Sequence, residues 1–178
     1  MDLVLPSSAY KKSYITAIRE FQLDPDFAPR HLDINVLELE KGFESFVQKE
    51  IEKAEGEHLP EGFVPEGVFW LVDGEEYIGK ASIRHRLTDH LLHTGGHIGY
   101  EIRPSKRQRG YGTALLKLAI EKAKELGIER LLLTCDTTNA ASRRIIEHAG
   151  GVFEREGPPE KEGGPKKNRY WIPIRRLQ

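Results

Sequence analysis

With 178 residues, 38% hydrophobic and 31% charged, the chain suits one domain with a sizeable core and an ordinary soluble globular class. Lys+Arg 27 against Asp+Glu 28, a net charge of −1, argues against general nucleic-acid binding, and no apolar run approaches the ~20 residues that span a bilayer. A single cysteine, Cys135, excludes an internal disulfide framework and a cysteine zinc cluster. Met1–Pro6 lacks the basic start of a secretory signal, so a cytoplasmic, metal-free protein is expected.

Tyr10, Tyr14, Ile15, Ile18 and Phe21 recur at near-helical spacing, which predicts a helix over Ser7–Phe21 capped by Ser7 or Ser8. Asp24-Pro25-Asp26 and Ala28-Pro29 break it. Phe43, Phe46, Val47 and Ile51 predict a second helix over Gly42–Glu55, and the Pro- and Gly-bearing stretch Gly56–Gly67 reads as a loop. Val68–Val72 and Tyr77–Arg84 read as strands joined by an Asp73-Gly74 hairpin turn. Leu87–Thr94 carries no clear period. His97–Arg103 reads as a strand with Ile98, Tyr100 and Ile102 on one face and His97, Glu101 and Arg103 on the other.

Leu115, Leu118, Ala119, the Lys122 stem and Leu126 predict an inward stripe on a helix over Tyr111–Leu126 that ends at Gly127. Arg130–Cys135 is a continuous apolar run, as in a strand covered on both faces. Thr138 or Asn139 caps a helix whose inward stripe is Ser142, Ile145, Ile146 and Ala149, closed by Gly150-Gly151. Val152–Arg155 and Arg169–Ile174 read as the last strands, around a polar loop.

Arg107-Gln108-Arg109-Gly110-Tyr111-Gly112 therefore stands between a strand and a helix. Arg103, Lys106, Arg107 and Arg109 bring four cations and no acid to a helix start, where unpaired amides and the helix dipole favour an anion. Gly110 and Gly112 are expected to let phosphate oxygens approach the backbone. A Walker loop would need G-x-x-x-x-G-K-[ST], which is absent. A dinucleotide fingerprint would need a third glycine where Leu115 stands.

Arg107–Gly112 resembles the R/Q-x-x-G-x-G/A signature of the GNAT superfamily of N-acetyltransferases. The resemblance continues through Asn139-x-x-Ser142 to Gly150-Gly151-Val152-Phe153 and covers roughly residues 68–156. Ile83-Arg84-His85, Gly95–Tyr100 and Arg103-Pro104-Ser105 resemble a narrower bacterial group of predicted acetyltransferases. The resemblance implies an α+β fold: a mixed, mostly antiparallel twisted sheet with a splayed central parallel strand pair and helices on both faces. It implies one domain over 1–178, with an acceptor-side helical portion at 1–66, a coenzyme-binding core at 67–156 and a closing hairpin strand at 157–178.

The implied cofactor is acetyl-CoA. Its pyrophosphate would lie on Arg107, Gln108, Arg109, Gly110, Tyr111, Gly112 and Thr113. Its pantetheine arm would enter a gap between strands 97–103 and 130–135, along the backbone of Ile102 and Arg103, with Asn139 and Ser142 on the opposite wall. The implied reaction moves the acetyl group to a primary amine of a small molecule by direct attack. A protein or peptide acceptor, or a non-catalytic coenzyme-binding module, is the alternative; a monomer or homodimer is expected.

A base must take the amine's proton. His97, with a reference pKa near ~6.5, and Glu101, if raised by burial, are the candidates. A backbone N–H near Ile102 would hold the oxyanion. Many family members carry a tyrosine acid where Ile146 stands here. Trp70, Arg84 and His85 are expected at the acceptor, with Arg84 able to pair with a carboxylate.

Overall fold

The computed structural model describes residues 1–25, 28–56, 59 and 63–174; part of the expected loop at 56–67 therefore lies outside the described residues. The chain opens with a strand, β1 (Asp2–Val4), which adds antiparallel to β2 (Glu66–Asp73). A three-residue strand has no period of its own and is defined by its partner. The chain turns after Asp73, with Gly74 at a left-handed φ of +59°, into β3 (Glu76–Arg84). β4 (Ile98–Ile102) completes a four-stranded antiparallel sheet in the order β1-β2-β3-β4. Gly79 permits the close approach of β4: a Cβ there would sit 2.3 Å from the Glu101 carbonyl oxygen. A second antiparallel sheet sets β7 (Lys167–Pro173) between β5 (Arg130–Asp136) and β6 (Val152–Gly157).

Helices cover both faces. Ser7 Oγ accepts from the Ala9 amide and starts a short 3-10 turn that leads into α1 (Lys11–Leu23). The helix expected over 42–55 is α3 (Phe43–Glu52), and a short helix that was not expected precedes it: α2 (Val36–Lys41), capped by the Asn35 side chain on the amides of Leu37 and Glu38, with Gly42 between the two. One face of β2 and β3 packs on α1 and α3 in a core dominated by aromatics. Tyr14 stacks on Trp70 with ring centroids 4.6 Å apart, and Phe43 and Tyr77 close around them. Burying one such large side chain is worth roughly 1.5–3 kcal/mol.

The opposite face packs on α4 (Tyr111–Glu125) and α5 (Ala140–His148) through Leu71, Ile78, Ile83, Leu115, Leu116, Ala119 and Ile146. The inward stripe of α4 differs from expectation at its end. α4 stops at Glu125 and Gly127 turns the chain at φ +75°, so Leu126 is left 44% exposed, while Leu116, Ile120 and Ala123 are buried. The run of unclear period ends in a single π-type turn, Leu91–Gly95, in which the Gly96 amide donates to the Leu91 carbonyl. No helix among the described residues is long and apolar enough to cross a membrane.

Candidate active site

β4 and β5 touch at one end and part at the other. The amide of His97 donates to the Leu132 carbonyl (2.7 Å), the Leu132 amide donates to His97 Nδ1 (2.9 Å), and Gly96 bridges to Leu133. The His97 carbonyl meanwhile accepts from Arg84 on β3, so this one residue straddles the two sheets. Beyond it the described strands form no ladder with each other. The register of β4 on β3 says what faces the gap. Arg84 pairs with the His97 carbonyl and the Arg103 amide with Ile78, so odd-numbered residues of β4 spend their backbone groups on β3. The amides and carbonyls of Ile98, Tyr100 and Ile102 point the other way, into the gap. Arg103 is thereby corrected as a main-chain donor to the arm, because its N–H is held by Ile78 (2.9 Å).

At the wide end lies the start of α4. Gly110 has φ +83° and no side chain caps the helix. The amides of Lys106 and Arg107 return to the carbonyls of Arg103 and Pro104, and the Ala114 amide is the next to find a backbone acceptor, at Gly110. The amides from Gln108 to Thr113 thus have no main-chain partner among the described residues. Gln108 itself is held at φ +60°, a strained value for a residue with a side chain. A run of unpaired N–H groups with the helix dipole behind it suits an anion.

The side chains divide differently from expectation. Arg109 is exposed at the mouth, but the Arg107 guanidinium is joined to Asp24 after α1 and to the Ile102 carbonyl (3.2 Å), which makes it a tie rather than a phosphate arm. Tyr111 donates its hydroxyl to Asp73. Gly112 serves helix packing: a Cβ there would lie 2.8 Å from Ile145 Cδ1, whereas nothing stands within 4 Å of one at Gly110.

The odd-numbered face of β4 looks toward α1 and the segment after it. His97 is corrected as a base: its Nδ1 lone pair is occupied by the Leu132 amide, so the neutral ring carries its proton on Nε2. Burial, with the nearby Arg84 charge, lowers its pKa. Glu101 is corrected too. Burial alone would raise its carboxyl, but Lys80 at 3.4 Å and His31 Nε2 at 3.3 Å outweigh that and hold it below its ordinary value. His31, absent from the sequence candidates, is 4% exposed, stacks on Phe21, and has no hydrogen-bond partner at Nδ1 among the described residues. Seventy residues separate it from Glu101, so no local spacing could have joined them. Arg103 Nε and Nη2 bond Glu20 at 2.9 and 2.7 Å, and Nη1 reaches Ser13.

Among the expected acceptor residues, Trp70 is fully buried in the aromatic core and is corrected: no substrate can stack on it. Arg84 is half-buried, paired with Glu66 (3.4 Å) and donating to the Gly96 carbonyl (3.1 Å). His85 is exposed, beside the strand end. On the opposite wall, Asn139 Oδ1 accepts from the Ser142 amide at 2.9 Å and caps α5. Ile146 is fully buried. Tyr100, from β4, points toward Ser142 and Cys135, and burial pushes its phenol up to about 12. Burial pushes the Cys135 thiol up to about 11. No group of three or more His, Cys, Asp or Glu among the described residues is placed to hold a metal ion.

The chain and its fold have counterparts among known proteins. The uncharacterized N-acetyltransferase YnaD of Bacillus subtilis (strain 168) is 27% identical over 128 residues, covering 61% of this chain and 74% of that protein. The fold superposes on RimL, a ribosomal L7/L12 alpha-N-protein acetyltransferase solved with coenzyme A, at a TM-score of 0.69 with 16% identity, covering 97% of this chain and 93% of that one. It matches the microcin C7 self-immunity acetyltransferase MccE, solved with acetyl-CoA and AMP, at 0.68 with 18% identity, over 97% and 91% of the two chains. A spermidine N-acetyltransferase SpeG chimera from Vibrio cholerae and hSSAT gives 0.63 with 15% identity, over 97% and 96%. The acetyltransferase (GNAT) domain model matches residues 17–152, from within α1 to the first residue of β6. The chain belongs to the GNAT family of acetyltransferases, whose acyl donor is acetyl-CoA.

Proposed function

We propose that this protein transfers an acetyl group from acetyl-CoA to the primary amine of a small molecule. The observation that carries the reading is the β4–β5 gap, pinned at His97 and opening onto the free amides of Gln108–Thr113. Those amides and Arg109 would hold the diphosphate. The gap-facing main chain of Tyr100 and Ile102 would hold the arm and donate to the acetyl oxygen as charge develops on it. When bound, acetyl-CoA supplies an activated acyl carbon.

Proton removal falls to the pair formed by Glu101 and His31. The ionised carboxylate fixes Nε2–H of His31 toward itself and leaves the lone pair on Nδ1, where no donor among the described residues meets it. Lys80 keeps Glu101 ionised and so keeps the ring in that tautomer.

A small acceptor is favoured because the described carboxylates of β2, β4 and β5 are engaged in ion pairs. Glu101 is paired with Lys80 and Glu66 with Arg84, while Asp136 and Glu160 share Lys167, so little free negative charge is offered there to a basic peptide. Thiol release from acetyl-CoA, measured with spermidine and with a peptide bearing an N-terminal serine, tests the reading. Turnover on the polyamine supports it. Turnover on the peptide alone moves the acceptor to protein, and tight coenzyme binding with no turnover on a broad amine panel leaves a binding module.

A further inference from the structure

The hydroxyl of Tyr100 is buried, faces Ser142 on α5 and Cys135 on β5, and completes no hydrogen bond of normal geometry. A phenylalanine would fill the same space without stranding a polar atom, and a stranded buried hydroxyl is destabilising. The hydroxyl is carried by β4 and reaches toward both β5 and the helix after it, across the gap that the register leaves unpaired. Ile146, at the α5 position where many family members carry a tyrosine, lies in the core and offers no donor.

We propose that Tyr100 is the hydrogen-bond donor to the sulfur of the coenzyme, reaching from β4 the place that α5 leaves without a donor. This rests on the acetyl-CoA reading above. The Tyr100 phenol lies near 12, well above an ordinary thiol near ~8.5, so it stays protonated beside a thiolate. Tyr100 therefore gives a hydrogen bond and not a proton. As the C–S bond breaks, its electron pair remains on sulfur, stabilised by the phenolic O–H. The sulfur takes its proton from solvent after release, and the proton lost by the amine leaves through the His31–Glu101 pair. Cys135, held as a thiol near 11, does not compete as a charged group. The titratable groups around that thiol are Asp136 on β5, Arg143 and Glu147 on α5, and Lys167 and Tyr170 on β7; Tyr170 already donates to Glu147.

The test needs no acceptor. Calorimetry compares coenzyme A with desulfo-coenzyme A, which lacks the sulfur, on the full chain and on Tyr100→Phe and Tyr170→Phe. The unaltered protein should prefer coenzyme A by about 10- to 100-fold at alkaline pH, where the thiol ionises, the span expected of a hydrogen bond to a charged group. Tyr100→Phe should erase that preference while keeping the affinity for desulfo-coenzyme A, and Tyr170→Phe should retain it. Equal affinity for the two ligands in the unaltered protein, or a preference surviving in Tyr100→Phe, overturns the assignment while leaving the coenzyme site standing. Failure of both ligands to bind overturns the acetyl-CoA reading itself. If Tyr100→Phe is too unstable to assay, the unaltered protein still decides: its affinity for coenzyme A must rise with pH through the thiol range while that for desulfo-coenzyme A stays flat.

Discussion

On one face of β4, Ile98, Tyr100 and Ile102 join the core beneath α4 and α5; on the other, His97, Glu101 and Arg103 are each tied to a polar partner on another element. The first face has shape and one stranded hydroxyl. The second is polar, and each of its side chains is held by a partner on another element. A single five-residue strand thus separates packing from proton chemistry by the two-residue alternation of its side chains. Damage to each face should therefore be read by different instruments.

The largest effect is expected at Glu101. Glu101→Ala strands Lys80 and frees His31, and it should cost about 3 kcal/mol in chemical denaturation as well as turnover. That is the low end for breaking a buried pair, because Lys80 keeps some contact with water. His31→Gln removes a buried ring stacked on Phe21 and bonded to Glu101, so it should lower the melting temperature; it should leave coenzyme affinity nearly unchanged yet lower kcat at neutral pH about 100-fold, with the loss in kcat shrinking at alkaline pH as the amine deprotonates unaided. A uniform loss at every pH would assign His31 a structural role.

Ile98→Val, on the apolar face, should cost about 1 kcal/mol and leave the pH–rate profile in place. His97 links the faces to pH. Its folded pKa lies below the ordinary 6.5, so the unfolded chain binds more protons between the two values. Its contribution is complete above 6.5 and is lost as pH falls through the folded value. Protonated Nδ1 cannot accept from Leu132, so acid should loosen the pin; His97→Gln, an acceptor that does not titrate, should flatten that limb in pH-dependent melting. Smallest of all, Leu126→Lys, on exposed surface, should move stability by no more than about 0.5 kcal/mol.

The same contrast explains what was legible in the sequence. The hairpin at Asp73-Gly74, the starts of α4 and α5 and the glycine-bearing helix start at Gly110 were visible because local residue types and backbone needs specify them. β1 and α2 were not: one borrows its hydrogen bonds from β2, and the other spans six residues, too few for a helical period to show. Trp70 was misjudged because a tryptophan in a strand does not announce which core claims it. His97 and Arg107 were misjudged because their partners are Leu132 and Asp24, the acid standing 83 positions from its arginine, and the Arg103 amide because Ile78 holds it across the sheet. What a residue type offers by itself was read locally; what a distant partner takes from it required the folded chain.

Glu20 grips Arg103 and the Ser105 amide, and Asp24 grips Arg107, so the end of α1 is stapled to the strand and turn that lead into the coenzyme cradle. Cutting the chain near residue 66 would strip two arginines of their counter-charges at once, and the excised remainder would not keep the cradle's shape. A graft meant to retarget the enzyme by importing a foreign first helix would have to carry acids in register at both positions, or the recipient would forfeit its grip on the donor along with its old choice of acceptor.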